Sequence, residues 1–265
     1  MKISSYLIKK LRLMTGSGIL DCKKALLDTQ GDIERAIDYL RKQGKSKALR
    51  KISRKTLQGS IFNKIKKNIG VMLEINCETD FVSKDKKFID FGNKIVKYGL
   101  EKKIKDLNVI QKKFDSDRIN LISILGENVK ISKYSILIGN FIYNYLHHSR
   151  IGVLIQTNSI NYSIIKYIAM HIAASKPLYL NPESIPHEVI SREENIQLDM
   201  SLQTGKSNFI SKKIVSGRMK KFFSEISLTK QPFVLDPKKT VEQYLLKHNI
   251  LLKNFIRFEV GEKII

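Results

Sequence analysis

The octapeptide IGVMLEIN at Ile69–Asn76 returns later in the chain as IGVLIQTN at Ile151–Asn158. Four of the eight positions are identical, and the exchanges between them are conservative. Each copy is short, apolar and rich in β-branched residues, which predicts a strand. Helical spacing follows each copy: Phe88, Phe91, Ile95 and Tyr98 after the first, Ile164, Ile168, His171 and Ile172 after the second. A strand-helix unit present twice points to an α+β fold built on two related subdomains with antiparallel sheets. The first copy runs directly into Glu78, Thr79 and Asp80, and then into an aromatic residue, Phe81. Three readings of that ring stand open: part of the core, part of an active site, or a tool for prying another molecule apart.

The rest of the chain arranges itself around this core. Residues 1–44 read as three short helices. The first starts near Ser4 and carries Leu7, Ile8, Leu11 and Met14 at helical spacing; the second sets Ile19, Cys22, Ala25 and Leu26 on one face and stops by Gly31. Asp32 offers an N-cap to the third, which carries Ile33, Ala36, Ile37 and Leu40 and ends at Gly44. Such a bundle is similar to the ubiquitin-associated fold, and its small core suits docking better than catalysis. The basic stretch Lys45 to Lys55 reads as a charged connector, in the form of a linker helix or a solvated tether. Between the two copies, Gly126 breaks a helix, and strands follow around Val129–Tyr134 and up to His147. The segment Glu188 to Glu225 is polar and helical, with Ile196, Met200, Leu202, Ile210, Ile214 and Met219 as its apolar positions. It reads as an inserted helical hairpin turning at Gly205. The phrase NFIRFEVGE closes the chain as a strand. The expected division is 1–55, 56–140 and 141–265, with the hairpin at about 188–225 inside the last part.

Chemistry is sparse. No phosphate loop of the GxxxxGK[ST] type, no GxSxG elbow and no HExxH pair occurs. His147 and His148 are adjacent, so they cannot form the one-face pair that zinc ligation from a helix requires. Cys22 and Cys77 are far apart and in no metal spacing, which fits two packed thiols in a reducing compartment. No cofactor is expected. The start of the chain lacks an uninterrupted apolar signal segment, and no run is long enough to span a bilayer, so a cytoplasmic protein without a membrane partner is expected.

The net charge of +23 over 265 residues suggests nucleic acid. However, Lys outnumbers Arg, Ile and Asn are also plentiful, and Lys is scattered along the whole chain. An AT-rich coding sequence would inflate these three residues together. Without an aromatic RNA-binding box or a zinc knuckle, specific nucleic-acid binding stands as the runner-up to a protein-binding function.

Several phrases then fall into a familiar order: LRLMTGSGILDCKKAL (Leu11 to Leu26), CETDFVSKD, LGEN (Leu125 to Asn128), HHSRIGVL, HIAASKP (His171 to Pro177), GRMKKFFSEISL and QPFV (Gln231 to Val234). Together they span nearly the whole chain, which resembles the bacterial elongation factor Ts family. The resemblance implies a small N-terminal helical domain, two related α+β subdomains and a helical hairpin inserted in the second. It implies guanine-nucleotide exchange on elongation factor Tu, with no covalent chemistry. Thr79, Asp80, Phe81 and Val82 would form the segment that wedges into the GTPase and dislodges its magnesium. Arg12, Ile19, Leu20, Lys23, Leu125, Gly126, His147 and Val234 would be further contacts. Leu125 stands where the family often has Ile, and Ile19 and Leu20 replace a common Met pair. Family members commonly continue past RFEVGE into a C-terminal helical module, and the resemblance implies that this arm is absent here. A homodimer, a two-to-two complex with the GTPase, and self-association through the hairpin stay open.

Overall fold

A computed structural model describes residues 3–203 and 208–262. Three helices open the chain: α1 (Ser5–Thr15), α2 (Ile19–Asp28) and α3 (Ile33–Lys51). The local signals act as expected. Ser4 accepts the Leu7 N–H, Asp32 accepts the Arg35 N–H, and Gly16 closes α1 in the left-handed region. Leu11, Cys22, Ala25, Leu26, Ala36 and Leu40 form the bundle's core.

Met14 and Ile19 keep helical spacing with these residues, but both are exposed. Neither belongs to the bundle's core, on which Leu7, Ile8 and Leu11 of α1 pack, and Ile19 is the first residue of α2.

The third helix does not stop at Gly44. It runs on to Lys51, so most of the basic stretch is helix rather than tether. Gly44 is a contact point: a Cβ there would lie 2.5 Å from the Ser123 hydroxyl. That hydroxyl belongs to α6 (Leu107–Leu125), and the missing side chain lets the two helices approach closely. Ala48, one turn further, is buried in the main core.

The two copies of the repeat are the middle strands of two three-stranded antiparallel sheets. Strand β2 (Ile69–Cys77) lies between β1 (Gln58–Lys66) and β3 (Lys130–Ile138). Strand β5 (Ile151–Thr157) lies between β4 (Phe141–His147) and β8 (Leu252–Glu259). Alternation along each copy explains the burial. Val71, Leu73 and Ile75 face α5 (Lys86–Lys102) and α6, while Val153 and Ile155 face α7 (Tyr162–Ser175). Met72 and Leu154 point the other way, into a layer shared by the two sheets with Ile61, Leu137, Ile142 and Phe258.

The repeated glycine has a reciprocal role in that layer. A Cβ on Gly70 would meet Ile142 Cγ2 at 2.9 Å and the Leu154 side chain, and a Cβ on Gly152 would meet Ile61 Cγ2 and Met72 Sδ at 2.6 Å each. Each copy's glycine therefore leaves room for the residue two positions after the glycine of the other copy. The result is an α+β stack, helices outside and two facing sheets inside.

The inserted hairpin consists of α8 (His187–Leu202) and α9 (Asn208–Ile226), and the expected turn at Gly205 lies outside the described residues. Its base is tied to the body where Leu178 N–H donates to Ile226 O and Leu228 N–H donates to Tyr179 O, each at 2.9 Å. Met219 is buried, whereas Ile196, Met200, Leu202 and Ile210 are exposed. A short hairpin, β6 (Pro232–Phe233) with β7 (Asp236–Thr240), and helix α10 (Val241–Lys247) complete the second half. Among the described residues no helix is long and apolar enough to cross a membrane.

Candidate functional site

Directly after β2 the chain makes a single helical turn, α4 (Asp80–Ser83), before α5 begins. Thr79 is its N-cap, accepting the Val82 N–H at 3.4 Å. Val82 is buried and pins the turn to the core, while Phe81, one residue earlier, is 82% exposed. The ring is therefore not core. Asp80 pairs with Lys84 at 2.8 Å, and the ammonium holds its carboxyl below the usual carboxylate range.

A second segment fixes the turn. Gly126 ends α6 with φ 80°, and the chain doubles back so that Glu127 faces Thr79. The two Glu127 oxygens accept the Thr79 N–H at 2.9 Å and the Thr79 hydroxyl at 2.7 Å. Glu78 answers by accepting the Asn128 N–H at 2.7 Å. Asn128 then donates to Ile52 O at 3.1 Å and Arg54 O at 2.9 Å, and Lys51 donates to Gly126 O. The end of α3, the end of α6 and the turn are thus one hydrogen-bonded knot. Sequence reasoning picked out LGEN but missed Glu127 and Asn128; their partners are 48 and 50 residues away, beyond any local pattern.

Cys77 lies beneath this knot, its thiol donating to Thr79 O at 3.1 Å. Burial first, then the carboxylates of Glu127, Asp80 and Glu78, push the thiol up to about 12, so it stays protonated at neutral pH. Cys22 and Cys77 are both free and buried.

On the other side of α4 a cleft of about 610 Å³ runs to the β4–β5 hairpin, with Asp80, Lys84, Ile89, Leu146 and His148 among its walls. The three-residue hairpin tip, His148 to Arg150, holds a turn with φ 47° at His148 and 56° at Ser149, closed by the Arg150 N–H donating to His147 O at 2.9 Å. Ser149 O accepts the Ile61 N–H at 2.7 Å and Arg150 donates to Gln58 Oε1 at 2.7 Å, so β1 holds the tip in place. His147 is exposed, and its ring lies 4.4 Å from that of His148. The turn brings together two side chains that an extended strand would separate.

The other expected contact residues occupy three places. Arg12, Ile19, Leu20 and Lys23 are all exposed around the α1–α2 junction, joined by Leu13 and Met14, which the sequence reading did not assign to contact. Arg12 and Leu13 border Lys87, at the start of α5, so this patch adjoins the turn. Leu125 is half-buried against the core, with Gly126 half-buried beside it. Val234 is exposed between β6 and β7, and its N–H donates to His171 Nδ1 at 3.2 Å. Because that nitrogen accepts, the proton of the buried His171 sits on Nε2 and is donated to Gln231 Oε1 at 2.9 Å. Burial lowers the His171 pKa and keeps the ring neutral.

No group of three or more His, Cys, Asp or Glu among the described residues could hold a metal ion. The arrangement offers a rigidly mounted apolar ring, a flanking acid, a cleft and an apolar docking patch, which are means of binding.

Comparison with known proteins agrees with that character. The family model described as "Elongation factor TS" matches residues 78–262. Elongation factor Ts of Buchnera aphidicola subsp. Acyrthosiphon pisum (strain 5A) is 52% identical over 260 residues, covering 98% of this chain and 97% of that protein. Elongation factor Ts of Yersinia pestis (strain Pestoides F) is 47% identical over 264 residues, covering 99% and 93%. Matches of this extent take in the repeat, the turn, the knot and the hairpin tip together, and the chain belongs to the elongation factor Ts family of translation elongation factors.

Proposed function

We propose that the chain binds elongation factor Tu carrying GDP and promotes GDP release by displacing the GTPase's magnesium, so that GTP can bind. The observation that carries this reading is Phe81: a phenyl ring 82% exposed on a turn whose flanks are pinned. An exposed ring on a fixed mount brings roughly 150–250 Å² of apolar surface and few rotatable bonds. Its burial between elements of the partner offsets the cost of separating them. Magnesium bridges phosphate oxygens and protein, so its loss opens the clamp on the nucleotide. Coupling is reciprocal: a factor that weakens GDP binding is itself weakened by GDP to the same degree.

In this reading Asp80 meets the partner beside Phe81. Arg12, Ile19, Leu20 and Lys23 dock the N-terminal bundle on the GTPase domain. Leu125, Gly126 and His147 extend the interface, and Val234 forms a separate contact. No bond of the chain is made or broken, and the site of action is the cytoplasm.

The test is release of labelled GDP from elongation factor Tu with and without this chain, at low and at high salt. Acceleration that persists at salt levels that abolish RNA binding is expected. RNA affinity falling steeply with salt, with no acceleration of release, would favour a nucleic-acid role for the charge of +23.

A further inference from the structure

We propose that Glu127 is the positioning residue of the exchange turn: by gripping Thr79 with both carboxylate oxygens it holds Asp80 and Phe81 in the pose that engages the partner. This inference rests on the exchange reading and adds to it a residue 46 positions away from Phe81 whose carboxylate bonds Thr79 (127 − 81 = 46).

Three observations lead here. First, α4 has only four residues, far below the length at which a helix sustains itself in water. Second, Phe81 is exposed, so its own packing cannot hold it in place in the free chain. The pose must come from its neighbours, and Val82 anchors only the far side. Third, every polar atom of Thr79 is engaged. Its N–H and hydroxyl go to Glu127, its carbonyl accepts from the Cys77 thiol at 3.1 Å, and its hydroxyl oxygen accepts the Val82 N–H. Donation to Glu127 orients the hydroxyl so that its lone pair faces Val82.

Chemistry explains why a carboxylate stands at this position. The two donors on Thr79 need two acceptors side by side, which an ionised Glu supplies and Gln or Ala does not. Charge-assisted bonds of this kind are short and strong. The adjacent Glu78–Asn128 bond sets the register, so that Glu127 meets Thr79 and no neighbour. A binding group held in its productive geometry loses less on association than one that must be ordered first.

The experiment is a mutant cycle on the full chain with elongation factor Tu·GDP. Glu127→Ala is made alone and in a background carrying Asp80→Ala and Phe81→Ala. GDP release is followed across a range of chain concentrations, at a temperature where circular dichroism shows each variant folded. If the competent pose falls to about a tenth of the population, Glu127→Ala slows release at sub-saturating chain concentrations about tenfold in the native background. In the Asp80→Ala/Phe81→Ala background it has no further effect, because nothing remains to be positioned. Glu127→Gln, which keeps one acceptor, recovers part of the rate. Should Glu127→Ala fail to fold, Glu127→Gln and Thr79→Val carry the same cycle.

Native release by Glu127→Ala, or equal slowing in both backgrounds, overturns the positioning role and leaves the exchange reading intact. If the Asp80→Ala/Phe81→Ala chain releases GDP like the native one, the wedge itself fails and the positioning role fails with it. If the native chain does not accelerate release at all, the exchange reading is what has failed.

Discussion

The two copies of the repeat do the same work as strands and different work immediately afterwards. Both sit in the centre of an antiparallel sheet, both carry a glycine that admits the other copy's side chain, and both precede a helix. After the second copy the chain only has to reach α7: Asn158 exchanges hydrogen bonds with Leu251, and Asn161 caps the helix. After the first copy it makes the extra turn α4, held from 48 residues away by Glu127, and presents a ring to solvent. Similar scaffolds followed by unlike connections separate the two demands on the sequence. The repeat satisfies packing, and the departure from it marks the proposed function.

The largest way to test that separation is to damage the scaffold. Phe88 is fully buried on α5, seven residues from Phe81 (88 − 81 = 7). Phe88→Ala should cost about 3–5 kcal/mol in denaturant unfolding. A cost below 1 kcal/mol would mean that the core does not depend on that ring.

The reciprocal glycines come next. Gly152→Ala places a Cβ where Ile61 and Met72 already lie, at 2.6 Å, and should cost about 1–3 kcal/mol. Gly70→Ala, with a nearest approach of 2.9 Å, should cost less. The reverse order would break the argument for a shared inter-sheet layer.

A smaller effect should follow pH. His171 is neutral, between Gln231, Ser175 and the Val234 N–H, and its pKa is lowered by burial. The unfolded chain therefore takes up this proton more readily than the folded one. The His171 contribution is complete above the unfolded pKa of about 6.5 and is lost as pH falls through the lowered folded value. Melting temperature should drop as pH falls below about 6.5, with a shallower slope in His171→Gln; equal slopes would contradict the assignment.

Docking should respond more weakly still. Lys23 is exposed on α2, and Lys23→Glu should slow association by a few-fold, an effect that shrinks with added salt. An unchanged association rate in stopped-flow binding would remove Lys23 from the interface.

What the sequence made legible was local. Ser4 as the start of the first helix, Asp32 as a cap, Gly126 as a helix end and the two strands all follow from residue type and periodicity. What it hid was set by tertiary neighbours. Gly44 looked like a stop because glycine usually weakens a helix, yet here it makes room for Ser123. Ile196, Met200, Leu202 and Ile210 kept helical spacing but lie exposed, because a two-helix hairpin covers only one stripe of each helix. The pairing of Glu78 and Thr79 with Asn128 and Glu127 joins segments that no periodicity links. Residue pattern alone left Phe81 open between core and surface, and its exposure places it outside the core.

The central claim is that Phe81 acts on a partner and not on its own fold, and one variant tests it. Phe81→Ala should leave stability within about 0.5 kcal/mol of the native chain, as surface substitutions do. The same variant should sharply slow GDP release from elongation factor Tu, because a methyl group cannot occupy the space a phenyl ring opens. A variant that is destabilised by several kcal/mol, or one that is stable and releases GDP at the native rate, would contradict the account.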